Sequence, residues 1–254
     1  MVYIPSNNLF DRIRRRAAVE LFAKPFQLPL KTALITFSFD DCPHSACETG
    51  KQILEKHKAL GTYYISAGFM DQEDHQGSCF SKADIECLHA SGHEIACHSY
   101  AHLDTAKISI DGLSKDLSKN QKEMQHILGK GFSPQNFAYP FGNMTPLVKR
   151  NLRQRYATCR SVRTGVNRGM IDLACLKAVE INEINAPETC MKFVDDVVEN
   201  GGWLIFFTHD VRENPSRYGC TPEHFENVVV KARRSGAQIL SVRDSLKFLG
   251  VNAS

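Results

Sequence analysis

The sequence predicts an α/β protein built on a parallel sheet, and three observations carry that prediction. From residue 33 onward, short apolar, β-branched or aromatic runs alternate with longer stretches of helical period. Gly61, Gly92, Gly129 and Gly236 punctuate the returns from helix to strand. The 254 residues, 43% hydrophobic and 23% charged, are enough to bury a substantial core, with no low-complexity segment or linker to divide them. Alternating strands and helices imply a parallel sheet covered by helices, closed as a (β/α) barrel or open and doubly wound. Periodicity alone does not choose between the two.

Residues 1–30 read as an N-terminal helical appendage, with Asn7 or Asn8 as its cap and Leu9, Ile13, Ala17 and Leu21 on one stripe. Arginines fill the other faces, and Pro25 and Pro29 end it. Packing across the bottom of a barrel is the favoured role. A basic amphipathic helix also suits weak contact with an anionic membrane surface. Residues 31–254 then form one domain. Strands are expected at Ala33–Asp40, Thr62–Phe69, Glu94–Ser99, Asn136–Pro140, Tyr156–Val162, Cys175–Ile181, Trp203–His209 and Ala237–Val242. Helices are expected at Ser45–Leu60, Ser81–Ala90, Asp111–Leu128, Thr145–Gln154, Pro187–Asn200 and Pro222–Arg234. The link Arg163–Ala174 is too short and too rich in glycine for a helix, so the sheet is expected to be irregular there.

Lys plus Arg total 31 against 28 acidic residues, and a net charge of +3 on this length does not mark a nucleic-acid binder. No apolar run approaches the roughly 20 residues of a spanning helix. Arg12, Arg14, Arg15 and Arg16 interrupt the place where a signal peptide's apolar segment would lie. The nine cysteines are odd in number, form no C-x-x-C pair, and sit partly in apolar runs such as Ile95-Ala96-Cys97. They read as reduced, mostly buried thiols, which implies a reducing compartment and a cytoplasmic protein.

Three polar clusters fall where strands should end, the face on which barrel enzymes place their sites. Ser38-Phe39-Asp40-Asp41-Cys42-Pro43 ends an apolar strand with two acids. Neighbouring side chains on a strand point to opposite faces, so both acids reach one centre only if the chain turns there. A capping Asp beside a surface Asp is the plainer alternative. His98-Ser99-Tyr100-Ala101-His102 places two imidazoles four residues apart, one above the other if the segment is a helical turn. His209 closes the apolar run Trp203-Leu204-Ile205-Phe206-Phe207-Thr208, where a core histidine is the ordinary explanation. Taken jointly, two acids, a spaced histidine pair and a lone histidine at the ends of different strands favour a mononuclear metal hydrolase.

These segments resemble the motifs of the polysaccharide deacetylases, the NodB-homology carbohydrate esterases of family 4. Phe37-Ser38-Phe39-Asp40-Asp41-Cys42-Pro43 is similar to their Thr-Phe-Asp-Asp-Gly-Pro, and His98-Ser99-Tyr100-Ala101-His102 matches His-Ser/Thr-x-x-His throughout. Phe137-Ala138-Tyr139-Pro140-Phe141-Gly142 looks like the third motif and Phe207-Thr208-His209 like the last, in the same order. The resemblance spans about Ala33 to Leu249. It implies a distorted (β/α) barrel of seven to eight parallel strands and one divalent ion, most often zinc, held by Asp41, His98 and His102. It further implies Asp40 as general base, His209 as general acid and the Phe141 N–H as oxyanion donor, with Pro140 fixing the turn. Tyr139 would join that substrate-binding turn; Leu204 and Phe206, alternate residues on the last-motif strand, read either as the acetyl slot or as ordinary barrel core.

Two departures stand out. Cys42 replaces the glycine after the acid pair, which places a thiol near the expected metal; a buried thiol is the default and an extra ligand the sharper reading. Ala138 stands where many members carry an arginine that orients the catalytic Asp; Arg160 at the end of the next strand is the candidate substitute, with a surface or phosphate-binding arginine as the alternative. The acid that tunes the family's catalytic histidine has no clear match, Asp172 being a weak candidate. The expected activity is metal-dependent removal of an N-acetyl group from a sugar or glycan precursor in surface polysaccharide assembly. The alternatives are an allantoinase-like hydrolase of a small amide and an inactive carbohydrate-binding homologue.

Overall fold

The longest fully paired strand, β1 (Ala33–Asp40), organises the molecule because both its edges are occupied. The computed structural model describes residues 16–184 and 187–251. Along one edge β1 pairs with β7 (Gly202–Thr208) from Gly202↔Ala33 to Thr208↔Phe39. The other edge is shared: β8 (Gln238–Ile239) takes Leu34 and Ile35, and β2 (Thr62–Ile65) takes Ser38 to Asp40. From β2 the sheet continues through β3 (Glu94–Cys97), β4 (Asn136–Ala138) and β5 (Thr158–Arg160). On the far side of β7 lies β6 (Val179–Glu180).

The order is β6-β7-β1-β2-β3-β4-β5 with β8 on β1, and every pairing in it is parallel. The segment between β5 and β6 curls the sheet toward closure. Leu176 bridges Arg160 in parallel, and the Ala178 N–H donates to the Arg163 carbonyl at 2.9 Å. This is the distorted (β/α) barrel that the motifs implied, with eight strands in its sheet.

Alternation along the strands separates two apolar layers. Phe37, Phe39, Leu204 and Phe206 meet Val194 and Val197 of α5 (Pro187–Asn200) and Phe225 and Val228 of α6 (Pro222–Arg234). Leu34, Trp203, Ile205 and Phe207 face the other way, into a second cluster with Leu176. There the Trp203 indole donates to Thr36 Oγ1 at 2.9 Å. The other α-helices described after β1 are α1 (Lys51–Lys56), α2 (Lys82–Ala90), α3 (Ile110–Leu128), α4 (Pro146–Arg155) and α7 (Val242–Phe248). Serine or threonine caps α2, α3, α4, α6 and α7 by accepting a backbone N–H of the first turn.

Several strands are shorter than expected. The run Thr62–Phe69 stops at Ile65 because Ala67–Phe69 coils into a 3₁₀ turn. A Cβ on Gly68 would lie 2.6 Å from the Tyr100 carbonyl, so only glycine allows that approach. Cys175–Ile181 is reduced to β6, and Ala237–Val242 to β8. Val242 instead opens α7, a helix the sequence reading missed, which sends Val242 and Leu246 into the cluster of Leu34 and Trp203. The expected helix Ser45–Leu60 begins as a wide turn at Ala46–Gly50 and ends after Lys56.

Most of the N-terminal helix expectation, including its cap, Leu9 and Ile13, falls on residues 1–15, outside the described residues. Residues 16–20 are helical, and Ala18 is buried against Leu113, Val148 and Leu152. Lys149, fully buried, donates to the Val19 carbonyl and pairs with Asp172 at 2.6 Å. Pro25–Gln27 pairs antiparallel with Met170–Asp172, which gives the irregular link a strand of its own. Among the described residues no helix is long and apolar enough to cross a membrane.

Candidate functional site

At the end of β1 the alternation that buries Phe37 and Phe39 against the helices turns Asp40 to the opposite face. Asp41 and Cys42 then adopt left-handed φ values of 58° and 55°, so the chain reverses and the Asp41 carboxylate returns toward the same centre. The second cluster follows β3. His98 and His102 do not lie on a helical turn as their spacing suggested: the segment is an irregular loop with Ser99 at φ 65° and His102 at φ 48°. It is held by Asp116 of α3, whose carboxylate accepts the N–H of Tyr100 at 2.7 Å and of Ala101 at 3.1 Å. The Ser99 hydroxyl accepts the Leu103 N–H at 3.2 Å.

These turns bring one oxygen of Asp41 to 3.7 Å from His98 Nε2 and 3.3 Å from His102 Nε2. Ligand atoms of the three residues all lie within 4.8 Å of one another. Asp41 Oδ1 is buried with no hydrogen-bond donor. Burial pushes His98 down to about 3, with His102 and Arg160 adding to burial and Asp40 opposing it; burial likewise pushes His102 down to about 4. Both imidazoles are therefore neutral at pH 7. His98 Nδ1 sits 2.9 Å from the Ala138 carbonyl, so it carries the proton and leaves Nε2 as an acceptor. A carboxylate oxygen and a neutral histidine acceptor thus converge without a donor between them, beside a second neutral imidazole, and a cation is the partner that satisfies such a set. Burial, reinforced by the charge on Asp40, pushes the Asp41 carboxyl up to about 6 against the pull of His209.

Asp40 is treated oppositely. Burial opposes its ionisation, but the Arg160 guanidinium outweighs burial and holds the carboxyl below its ordinary value. Arg160 Nη2 lies 2.6 and 2.5 Å from the two Asp40 oxygens, and both side chains are buried. Arg160 thus makes the contact expected of a substitute for the missing arginine.

His209, at the end of β7, is close enough to bias both acids, and its Nδ1 is 3.2 Å from the Tyr218 carbonyl. That carbonyl, and not Asp172, is its partner. Asp172 accepts the Lys24 N–H at 2.8 Å and pairs with Lys149 on the short strand beside Pro25–Gln27. Pro140 opens a tight turn at Pro140–Gly142 in which Phe141 is left-handed at φ 58°, its ring 4.5 Å from that of His102.

Three expected substrate contacts are corrected. The Tyr139 side chain is buried beside Phe137, with its hydroxyl donating to the Ala174 carbonyl at 3.0 Å. Leu204 and Phe206 point into the helix layer, Phe206 stacking on Phe37 at 5.5 Å. Residues of one face alternate, so Phe207 shares the face of His209. Its ring packs 4.6 Å from the Arg160 guanidinium. Cys42 is not a ligand: its thiol faces the Phe39 and Tyr64 carbonyls at 3.8 and 3.6 Å, and burial keeps it protonated. Sequence reasoning also missed Gln76, whose amide donates to Asp41 Oδ2 at 3.3 Å from a short hairpin with no motif to mark it.

The sequence model of the polysaccharide deacetylases, described as "Polysaccharide deacetylase", matches residues 28–158, which include Asp40, Asp41, His98 and His102. The chitooligosaccharide deacetylase of Azorhizobium caulinodans is 28% identical over 109 residues, 42% of this chain and 48% of the relative. The chitin deacetylase of Arthroderma benhamiae is 28% identical over 86 residues, 34% of this chain and 22% of the relative. The chain therefore spans less than half the length of these curated relatives. A family 4 acetyl xylan esterase from Clostridium thermocellum, solved with a cobalt ion, shares the fold at a TM-score of 0.59 and 19% identity, over 87% of this chain and 94% of that one. The match of the sequence model across more than half of the residues, on a barrel of the same kind, shows that the chain belongs to the polysaccharide deacetylase family.

Proposed function

We propose that the protein is a metal-dependent hydrolase that removes the N-acetyl group from a sugar or glycan precursor, giving acetate and an amino sugar. The carrying observation is the convergence of Asp41, His98 and His102 on one point, with a separately ionised Asp40 and with His209 beside them. Two environments that drive neighbouring carboxyls apart are what assigns them different work. Asp41, His98 and His102 would hold a divalent ion, zinc by the mixed N and O donor set, and such an ion would supply Lewis acidity toward the acyl oxygen and acidify water.

The chain's own groups do the rest. Asp40, kept ionised and oriented by Arg160, accepts the proton of the attacking water. The Phe141 N–H, aimed by the left-handed turn after Pro140, donates to the developing oxyanion. His209, with Nδ1 committed to Tyr218, gives a proton from Nε2 to the departing nitrogen as the C–N bond breaks. Asp40 retains the proton taken from water until acetate has left. Phe207 and the Phe141 ring supply apolar surface beside these groups.

The names of the chitooligosaccharide and chitin relatives support an N-acetylated sugar as substrate. All nine cysteines are unpaired and all but Cys87 are buried, which supports a reducing, cytoplasmic setting. There a nucleotide-linked or lipid-linked precursor of surface polysaccharide is the natural form of the sugar. The test is metal content together with acetate release from a panel of N-acetylated sugars and sugar nucleotides. Wild type should bind one divalent ion and release acetate. Asp40→Asn should keep the metal and lose turnover, His98→Ala should lose both, and His209→Ala should lose turnover. A protein that binds no divalent ion, with His98→Ala as active as wild type, overturns the reading.

A further inference from the structure

We propose that Asp210, the residue after His209, is a positioning residue that holds both halves of the site at once: the oxygen of Asp41 presented to the metal, and the ring of His209. The proposal rests on the reading of Asp41 as a metal ligand and His209 as the acid. Asp210 is fully buried, and its carboxylate gathers three donors. Oδ2 accepts Arg212 Nε at 2.9 Å and the Ser216 N–H at 2.7 Å, while Oδ1 accepts the Ser216 hydroxyl at 2.5 Å. A buried carboxylate with short, charge-assisted bonds is a stiff anchor for whatever those donors carry.

One arm runs through Arg212. Its Nη2 donates to the His75 carbonyl at 3.3 Å, and a Cβ at Gly77 would lie 2.8 Å from its Nη1. Gly77 takes φ 100°, so glycine lets the hairpin Glu73–Ser78 settle on the guanidinium. At its tip Gln76, 4% exposed, donates to Asp41 Oδ2. That bond occupies one carboxylate oxygen and leaves Oδ1 to face His98 and His102. Groups that orient a metal-binding carboxylate in this way set its affinity.

The second arm runs through Ser216, whose hydroxyl accepts the Tyr218 N–H at 3.2 Å, and Tyr218 offers its carbonyl to His209 Nδ1. A Cβ on Gly219 would fall 2.3 Å from Asp210, so only glycine lets this loop cross the carboxylate. The Cys220 N–H closes the loop on the Asp210 carbonyl at 3.0 Å.

The arms are separable by titrating chelator-treated protein with Zn²⁺ and measuring kcat at saturating zinc. Asp210→Asn should raise the zinc Kd about tenfold and lower kcat about tenfold or more. Gln76→Ala should raise the zinc Kd by a similar factor. Ser216→Ala should lower kcat and leave the zinc Kd within about twofold of wild type, a split that general loosening of the fold does not produce. If Asp210→Asn does not fold, Arg212→Gln replaces it and should raise the zinc Kd. A folded Asp210→Asn or Arg212→Gln with the wild-type zinc Kd overturns the proposal, as does a Ser216→Ala that weakens zinc as much as Gln76→Ala. If wild type releases no acetate from any substrate, the functional reading fails. The zinc titrations then still decide the hairpin arm, and amide exchange of residues 210–220 in Ser216→Ala decides the other, faster exchange supporting it and unchanged exchange overturning it.

Discussion

Arg160 and Ala138 are direct partners in the parallel register of β4 and β5, and Arg160 reaches past that alanine to bind Asp40 with one nitrogen at 2.6 and 2.5 Å from its two oxygens. The position that lacks an arginine and the residue that supplies one are thus neighbours across a strand pair. Ala138 packs with Tyr64 and Ala96, and its small side chain leaves the guanidinium room to lie between the rings of Tyr64, at 5.1 Å, and Phe207, at 4.6 Å.

Removing Arg160 should therefore do more than lower activity. Arg160→Met leaves a buried Asp40 without its counter-charge, and we expect a loss of about 3–5 kcal/mol in denaturant unfolding. The Asp40 carboxyl is depressed in the folded state, so its contribution to stability is present above the unfolded value near 3.9 and is lost as pH falls through the folded value. Without Arg160 the acid limb of kcat/KM should move to higher pH. An unmoved limb would show that Arg160 does not hold Asp40 ionised.

The facing of β7 makes a second prediction. Phe206→Ala, in the helix layer, should cost about 3–5 kcal/mol of stability with KM for the sugar unchanged in the folded fraction. Phe207→Ala should instead raise KM or lower kcat, because that ring lines the Arg160 side of the site. The reverse pattern in steady-state kinetics would place the acyl pocket on the other face.

The histidine loop depends on Asp116. Asp116→Ala frees the N–H groups of Tyr100 and Ala101, and with them a loop that keeps Ser99 and His102 left-handed. Zinc affinity measured by calorimetry should fall about tenfold. Asp116→Asn, which keeps an acceptor, should recover part of the loss.

Protons compete with the metal in a defined order. In the metal-free site burial raises the Asp41 carboxyl to about 6 and lowers both histidines well below their ordinary value, so Asp41 takes up its proton first. Zinc affinity should accordingly decline as pH falls below about 6. Stability of the chelated protein follows from the same values. The raised Asp41 favours folding at low pH and loses that contribution as pH rises through about 6, whereas the two depressed histidines lose theirs as pH falls from the unfolded value near 6.5. Two groups outweigh one, so the melting temperature in chelator should drop between pH 6.5 and 4, and less steeply in His98→Ala.

Much of this was legible in the chain itself. Local alternation of apolar runs and helical periods depends on side chains a few residues apart, and it marked eight strands and the ends of β1, β3 and β7 where Asp40, His98 and His209 stand. The resemblance to the deacetylase motifs likewise pointed to Asp41, His98 and His102, whose ligand atoms the fold brings within 4.8 Å of one another. Strand lengths were overestimated where a strand's apolar run continues into a turn, as after Ile65, or begins in an irregular link, as before Val179.

What the tertiary structure alone decided is which partners residues distant in sequence find. The pairing of Arg160 with Asp40 spans 120 positions, and the Gln76 contact to Asp41 comes from a hairpin with no local signature. The choice of Phe207 over Phe206 turns on a one-residue parity that flips every side chain between the helix layer and the site. Period and spacing are written along the chain, but charge compensation and facing arise only when the sheet curls and brings its strand ends together.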